Sequence, residues 1–272
     1  MLKFRAVSFP LLLALCFLML FWKAGGPYIF LVVATGAMML LTDELLRILE
    51  KLGIPGMRWP AVATAGVFAL SAGGPNSIRI GLAAVLLMPI LTPVRLLFGG
   101  DRAAFLRRLF PTIGAVYLIL LIYSPMIALF NDLTPFLFLF FILTTKAMDT
   151  GGYVFGLLSN RLMPGGNHKI APTISPKKSW EGFFGGILLA LAVAAAFIPC
   201  FSTAIPWWKL LVVAPILALG SFFGDLTESA LKRAADIKDS GNYIPGMGGI
   251  FDVLDSFIYN GWIFYLLKDF LI

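Results

Sequence analysis

Residues 182–200 read GFFGGILLALAVAAAFIPC and carry no charge. A helix needs about 20 predominantly apolar residues to cross ~30 Å of hydrocarbon, and this run has that length. It is one of nine. Apolar segments fall at roughly 7–22, 27–42, 59–73, 78–98, 110–130, 134–148, 182–200, 207–223 and 250–271. Lipid offers no partner to a backbone N–H or C=O, so only helices and closed barrels span it. The strands of a barrel alternate apolar and polar residues, and these segments do not. Composition agrees: 13% of residues are charged and 60% hydrophobic, where a soluble domain carries about 25% charged residues. The expected fold is all-α, a polytopic integral membrane protein with about nine transmembrane helices. Segments 59–73 and 134–148 are short for a crossing.

The basic residues sort by side. The N-terminus and the regions near 43–58, 95–109, 146–181 and 224–249 hold 2, 3, 4, 5 and 3 of them, 17 of 21 Lys and Arg. Only Lys23, Arg79, Lys209 and Lys268 fall on the other side. The positive-inside rule then places the N-terminus in the cytoplasm and the C-terminus outside. The net charge of +7 reads as topology, with positive charge set beside an anionic leaflet. No nucleic-acid partner is needed to explain it. The first segment follows Lys3 and Arg5 as a signal peptide would, but no small-x-small cleavage site follows, so an uncleaved anchor is expected. Cys16 and Cys200 lie at different depths, which argues against a disulfide. Residues 1–135 are expected to be a transmembrane scaffold with candidate dimer contacts. Residues 136–272 hold the polar loops of a cytoplasm-facing site.

Two loops are long enough for chemistry, 149–181 and 224–249. At the start of the first, Lys146 reads as a snorkelling side chain. Asp149 is too short to snorkel far, and is either its partner or a site residue. Gly151, Gly152 and Gly156 would leave backbone close to whatever Asp149 faces. Further on, Ser175 and Pro176 have the chemistry of a helix cap and first turn. With Lys177, Lys178, Ser179 and Glu181 following, the N–H groups, ammonium groups and hydroxyls suit a phosphate. An ordinary basic cap at the membrane edge has the same composition. His168, the lone histidine, is given no role.

In the second loop Asp225, Glu228, Ser229, Lys232 and Arg233 recur at helical spacing and share one face. Their helix continues a transmembrane segment. Lys238 and Asp239 come next, then the turn NYIPGMGG. Past Gly248 and Gly249 the last segment carries Asp252 and Asp255, three apart and expected to face one way. A carboxylate inside a helical bundle costs ~2.5–3.5 kcal/mol on insertion scales. A divalent cation or facing lysines would relieve that. Oxygen ligands favour Mg²⁺, Mn²⁺ or Ca²⁺, and the absence of a His/Cys cluster argues against zinc. Carboxylates for a metal beside lysines for phosphate suit phosphoryl or nucleotidyl transfer. No P-loop or Rossmann fingerprint is present.

The pattern Ser229-x-Leu231-Lys232-Arg233-x4-Lys238-Asp239, then Pro245-Gly246-x-Gly248-Gly249-x-x-Asp252-x-x-Asp255-Ser256, closely resembles the signature of the phosphatidate cytidylyltransferases, the CDP-diacylglycerol synthases. Ser175-Pro176-Lys177-Lys178-Ser179-Trp180-Glu181-Gly182 resembles that family's S-P-x-K-[ST]-x-x-G segment. Asp149 with Gly152-Tyr153 and Gly156 resembles D-x-x-A-Y-x-x-G, with Gly152 where alanine is usual. The resemblance covers roughly 140–270; the first 135 residues resemble the family only in hydropathy. Two positions depart: Met247 and Val253 stand where histidine and arginine are usual.

The resemblance implies an inner-membrane homodimer that takes CTP and phosphatidic acid to CDP-diacylglycerol and pyrophosphate. It implies Mg²⁺, with room for a monovalent cation such as K⁺ beside it. Asp225 and Asp252 would hold the metal, with Asp149 and Asp255 as further candidates. Lys178, Lys232, Arg233 and Lys238 would neutralise phosphates. Ser175, Lys177, Ser179, Glu181, Ser229, Asp239, Gly248 and Gly249 would complete the substrate site. A CTP-dependent kinase of a polyprenol-type lipid alcohol is the alternative, and an ion-coupled transporter a more distant one.

Overall fold

In the computed structural model, residues 2–71, 101–201 and 204–271 are described. The predicted segment 78–98 lies outside the described residues. Nine helices and one hairpin are found among the rest: α1 (Leu2–Phe21), α2 (Gly26–Lys51), α3 (Arg58–Ser71), α4 (Arg102–Asp132), α5 (Pro135–Leu162), β1 (Lys169–Ala171), β2 (Ser175–Ser179), α6 (Trp180–Phe201), α7 (Trp207–Ala234), α8 (Ile250–Leu254) and α9 (Phe257–Leu271). Among the described residues, five stretches are long and apolar enough to cross a membrane: α2, α4, α6, α7 and the run Ile250–Leu271. The chain is an all-α, multi-pass membrane protein. Exposed Phe184, Leu188 and Phe223 on α6 and α7 are surface that lipid would cover.

The chain divides into two compact units, residues 1–127 with 234–253, and residues 128–233 with 254–272. In the first, α2 and α3 pack on each other. Gly53, at φ +79°, ends α2 in the left-handed conformation that glycine tolerates. The N–H of Ile54 bonds back to Leu49 O at 2.9 Å and that of Gly53 to Glu50 O at 3.0 Å, which satisfies the last carbonyls of the helix. Asp43 on α2 then gathers Arg58 Nη2 at 2.5 Å, Arg47 Nε at 2.8 Å and the Tyr243 hydroxyl at 2.7 Å. Burial, followed by the bond to Asp43, pushes the Tyr243 hydroxyl above the usual tyrosine range, so it remains a donor.

In the second unit, α5 starts at Thr134, whose hydroxyl accepts the Leu137 N–H, with proline at the first turn. The structure carries this helix to Leu162, past the loop start expected at 149. Asp149 and Gly151–Gly156 are therefore helical. The reason is a close helix pair. Glycines of α5 lie against those of α6: a Cβ at Gly151 would come within 2.8 Å of Gly185 O, and one at Gly182 within 2.6 Å of Gly152 O. Small residues let helices approach in lipid. Ala147, Met148, Ala190, Ala218 and Phe222 form the apolar centre, and Phe141 stacks on Phe264 of α9 at 4.8 Å. Asn260 ties three helices with bonds from Nδ2 to Thr145 Oγ1 at 3.0 Å and Leu217 O at 2.9 Å.

Two local expectations are corrected. Ser175 and Pro176 do not open a helix: Ser175–Ser179 is a strand paired antiparallel with Lys169–Ala171. The helix starts at Trp180, and Ser179 caps it by accepting the Gly182 N–H at 3.1 Å. The run 250–271 is not one helix either. It breaks after Leu254, where Asp255 Oδ1 accepts the Ser256 N–H at 2.6 Å. Asp252 is helical, and Asp255 sits in the turn before α9.

Candidate active site

The second unit holds a cavity of about 510 Å³ between α5, α6, α7 and the hairpin. That is within the usual range for a small-molecule site. Its wall includes Asp149, Gly152, Gly156, Ser175, Lys177, Lys178, Ser179 and Asp225, all on sequence positions singled out above. Lys169, from β1, adds a third ammonium group. The hairpin explains the convergence. It turns the Ser-Pro-Lys-Lys-Ser segment back along the mouth of the α5–α6 pair, so side chains that are consecutive in sequence line one opening.

Asp225 connects this cavity to a buried acidic cluster. One of its oxygens pairs with Lys178 Nζ at 3.0 Å and the other accepts the Ser229 hydroxyl at 3.2 Å. Lys178 also donates to Phe222 O at 3.1 Å and lies 4.3 Å from the Phe222 ring centre, so it is held from three sides. Asp225, Glu228 and Asp255 each bring an oxygen to within 4.8 Å of the others. Glu228 and Asp255 are buried. Lys232 pairs with Glu228 at 2.6 Å. Lys146 reaches Asp149 at 3.1 Å, Asp255 at 3.7 Å and the Ser256 hydroxyl. The Ser221 hydroxyl donates to Asp149 at 3.3 Å.

Four carboxylates (Asp149, Asp225, Glu228, Asp255) thus face three ammonium groups (Lys146, Lys178, Lys232). Three close oxygen donors with a surplus of negative charge suit a hard divalent cation such as Mg²⁺ or Mn²⁺. Sulfur and nitrogen donors are lacking from this cluster. The residues fit the implied metal.

Other predicted residues fall as follows. Ser229 and Lys232 are bonded to the cluster. Arg233 donates to Ile174 O at 3.4 Å, beside the hairpin. Glu181 is not among the cavity-lining residues; it accepts from the backbone N–H of His168 at 3.2 Å and lies 2.6 Å from its Nδ1, which gives the histidine a partner where none was expected. Lys238, Asp239, Gly248, Gly249 and Asp252 belong to the first unit. There Lys238 and Asp239 are exposed. Asp252 Oδ2 accepts the N–H and hydroxyl of Ser240, each at 2.9 Å, and the Gly249 N–H at 2.8 Å. Gly248, at φ +96°, has no room for a Cβ, which would lie 2.6 Å from that oxygen.

Sequence reasoning did not place Lys146 and Glu228 in the site. Lys146 looked like a helix-end cation, and its distant partners Asp255 and Ser256 are invisible to local spacing. Glu228 was legible as a member of the α7 stripe; its burial, 1% exposed, was the missing signal.

Comparison with known proteins identifies the family, and over more of the chain than the 140–270 stretch that carries the signature motifs. A model of the cytidylyltransferase family matches residues 3–271. The phosphatidate cytidylyltransferase of Bacillus subtilis is 34% identical over 258 residues, 91% of each chain. Those of Staphylococcus saprophyticus and Staphylococcus epidermidis are 44% and 45% identical over 121 residues, 44% of each chain.

Proposed function

We propose that this chain, which belongs to the cytidylyltransferase family, transfers CMP from CTP to phosphatidate, giving CDP-diacylglycerol and pyrophosphate in phospholipid synthesis. The observation that carries the proposal is Asp225. It lines a cavity with three lysines and also belongs to the buried carboxylate cluster. Phosphate-holding and metal-holding groups therefore meet at one side chain.

Asp225, Glu228 and Asp255 would hold Mg²⁺, with Asp149 as a further candidate and room for a monovalent ion such as K⁺; Asp252, in the first unit, is assigned to the site by its place in the signature alone. Bound there, the metal would neutralise triphosphate charge and the departing pyrophosphate. Lys169, Lys177 and Lys178 receive the phosphates of CTP, and Lys232, Arg233 and Lys238 add positive charge for nucleotide and lipid. A phosphate oxygen of phosphatidate attacks the α-phosphorus of CTP. The new P–O bond forms as the bond to the β-phosphate oxygen breaks, and the electron pair leaves with pyrophosphate. A phosphate monoester has its second pKa at about 6, so the nucleophile arrives largely dianionic and no base is required. Met247 in the usual histidine position therefore deprives this step of no base that it needs. Asp149, with its two oxygens engaged by Lys146 and Ser221, is poorly free to act as a base on a lipid alcohol.

The positive-inside pattern supports a cytoplasmic N-terminus, nine crossings and a site at the cytoplasmic face of the inner membrane. A homodimer is part of the same proposal. Purified protein given CTP labelled at the α- or the γ-phosphate tests it. CMP transfer puts the α-label in lipid and the γ-label in pyrophosphate. A lipid kinase would put the γ-label in lipid and leave the α-label in CDP, which would refute the proposal.

A further inference from the structure

Glu44 lies on α2, in the part of the chain that carries none of the signature motifs, and it is fully buried. Among the described residues no Lys, Arg or His pairs with it. Its partners lie about 200 positions away in sequence. Oε1 accepts the Ile250 N–H at 2.9 Å. Oε2 accepts the Phe251 N–H at 2.8 Å and the Ser240 hydroxyl at 3.0 Å. Ile250 and Phe251 open α8, and the first N–H groups of a helix have no partner within it. The carboxylate supplies one.

The turn is shaped to admit it. A Cβ on Gly241 would run into Oε1 of Glu44, and a Cβ on Gly249 would run into both Glu44 oxygens and Ser240 Oγ. Burying a carboxylate is expensive unless hydrogen bonds compensate it, and here two backbone N–H groups and a shared hydroxyl do. One of these donors is shared with a second carboxylate. Asp252 Oδ2 accepts the N–H groups of Ser240 and Gly249, and it competes with Glu44 for the single proton of the Ser240 hydroxyl. The Ser240 hydroxyl lies within 3.0 Å of one carboxylate and 2.9 Å of the other.

We propose that Glu44 is a positioning residue for the transfer reaction. It does not touch substrate. It fixes the 240–251 turn so that Asp252 is presented in one orientation. This rests on the assignment of Asp252 to the site under the proposed function, and it gives an N-terminal helix a part in catalysis.

Glu44→Gln and Glu44→Asp test it, in purified protein checked for folding by gel filtration in detergent. Glutamine keeps the shape but sets an NH₂ against a backbone N–H. Kinetics and amide exchange, the latter without Mg²⁺ or nucleotide, are both read. In Glu44→Gln, exchange rises in peptides covering 248–253 and stays unchanged in α5 and α6. Per folded molecule, kcat falls or the Mg²⁺ needed for half-maximal rate rises, by at least about tenfold, as for loss of groups that orient a metal ligand. The KM for phosphatidate is unchanged, and Glu44→Asp, still a carboxylate, recovers part of the loss. Wild-type kcat and Mg²⁺ requirement in folded Glu44→Gln would overturn the proposal. So would exchange that rises throughout the protein, with activity lost only in proportion to unfolded material. If the wild type itself transfers no CMP, the functional assignment fails. Unchanged exchange at 248–253 is the separate failure of the positioning claim.

Discussion

Two adjacent glycines on α5 should respond oppositely to the same methyl group. At Gly151 an added Cβ would lie 2.8 Å from Gly185 O and from Gly186 Cα, and 3.0 Å from Leu189 Cβ. Ordinary contact begins at 3.4 Å, so the shortfall is 3.4 − 2.8 = 0.6 Å, and two of the obstructing atoms are backbone. Relief requires α5 and α6 to part. Overpacking of this kind costs about 1–3 kcal/mol. At Gly152 the same atom meets only Gly182 O, at 3.7 Å, which is ordinary contact. Replacing glycine by alanine inside a helix gains about 1 kcal/mol in propensity. That gain is common to both variants, so their difference isolates the helix contact at about 1–3 kcal/mol. Gly152→Ala should melt at or slightly above wild type in detergent, and Gly151→Ala several degrees below Gly152→Ala. Tryptophan fluorescence follows the transitions. Since Gly152, Gly156 and Gly182 line the cavity, Gly151→Ala should also lose transfer activity. Equal melting of the two variants, or a less stable Gly152→Ala, would refute the packing argument.

Three further outcomes are expected. Asp225→Asn and Asp255→Asn should each lower kcat by about 100-fold or more, since each removes charge stabilisation at the reacting phosphates; near-normal turnover in either would remove it from the proposed metal set. Asp252→Asn should behave likewise, and a wild-type rate there would remove Asp252 from the proposed site. Lys178→Met removes the ammonium 3.0 Å from Asp225 and should raise the KM for CTP at least about tenfold, a loss of ~1.4 kcal/mol in binding, measured by steady-state kinetics over a range of CTP.

Much of this molecule is legible in its sequence. The apolar runs announce the helices, because lipid leaves the backbone no other partner. The Asp225–Arg233 stripe is visible because a continuous helix preserves its spacing. Legibility ends where distant chain decides local structure. Ser175 and Ser179 are equally good caps by type; pairing of Ser175–Ser179 with Lys169–Ala171 makes Ser179 the cap. Asp149 is expected at the helix end where the loop 149–181 begins, and the glycines that follow it would weaken a helix in water. Packed against the glycines of α6 they extend it. Glu44 gave no signal, since an acid beside Asp43 at the end of an apolar run reads as a boundary. Its meaning depends on N–H groups 206 and 207 residues away.

The most direct measurement is transfer of α-labelled CTP by the purified protein in detergent with phosphatidate, with Mg²⁺ and with EDTA, resolved by thin-layer chromatography. The account predicts label in the lipid fraction with Mg²⁺, none with EDTA, and transfer slower by about 100-fold or more in an Asp225→Asn protein. Label that stays in water-soluble nucleotide with Mg²⁺ present, or that enters lipid equally in EDTA, would contradict it.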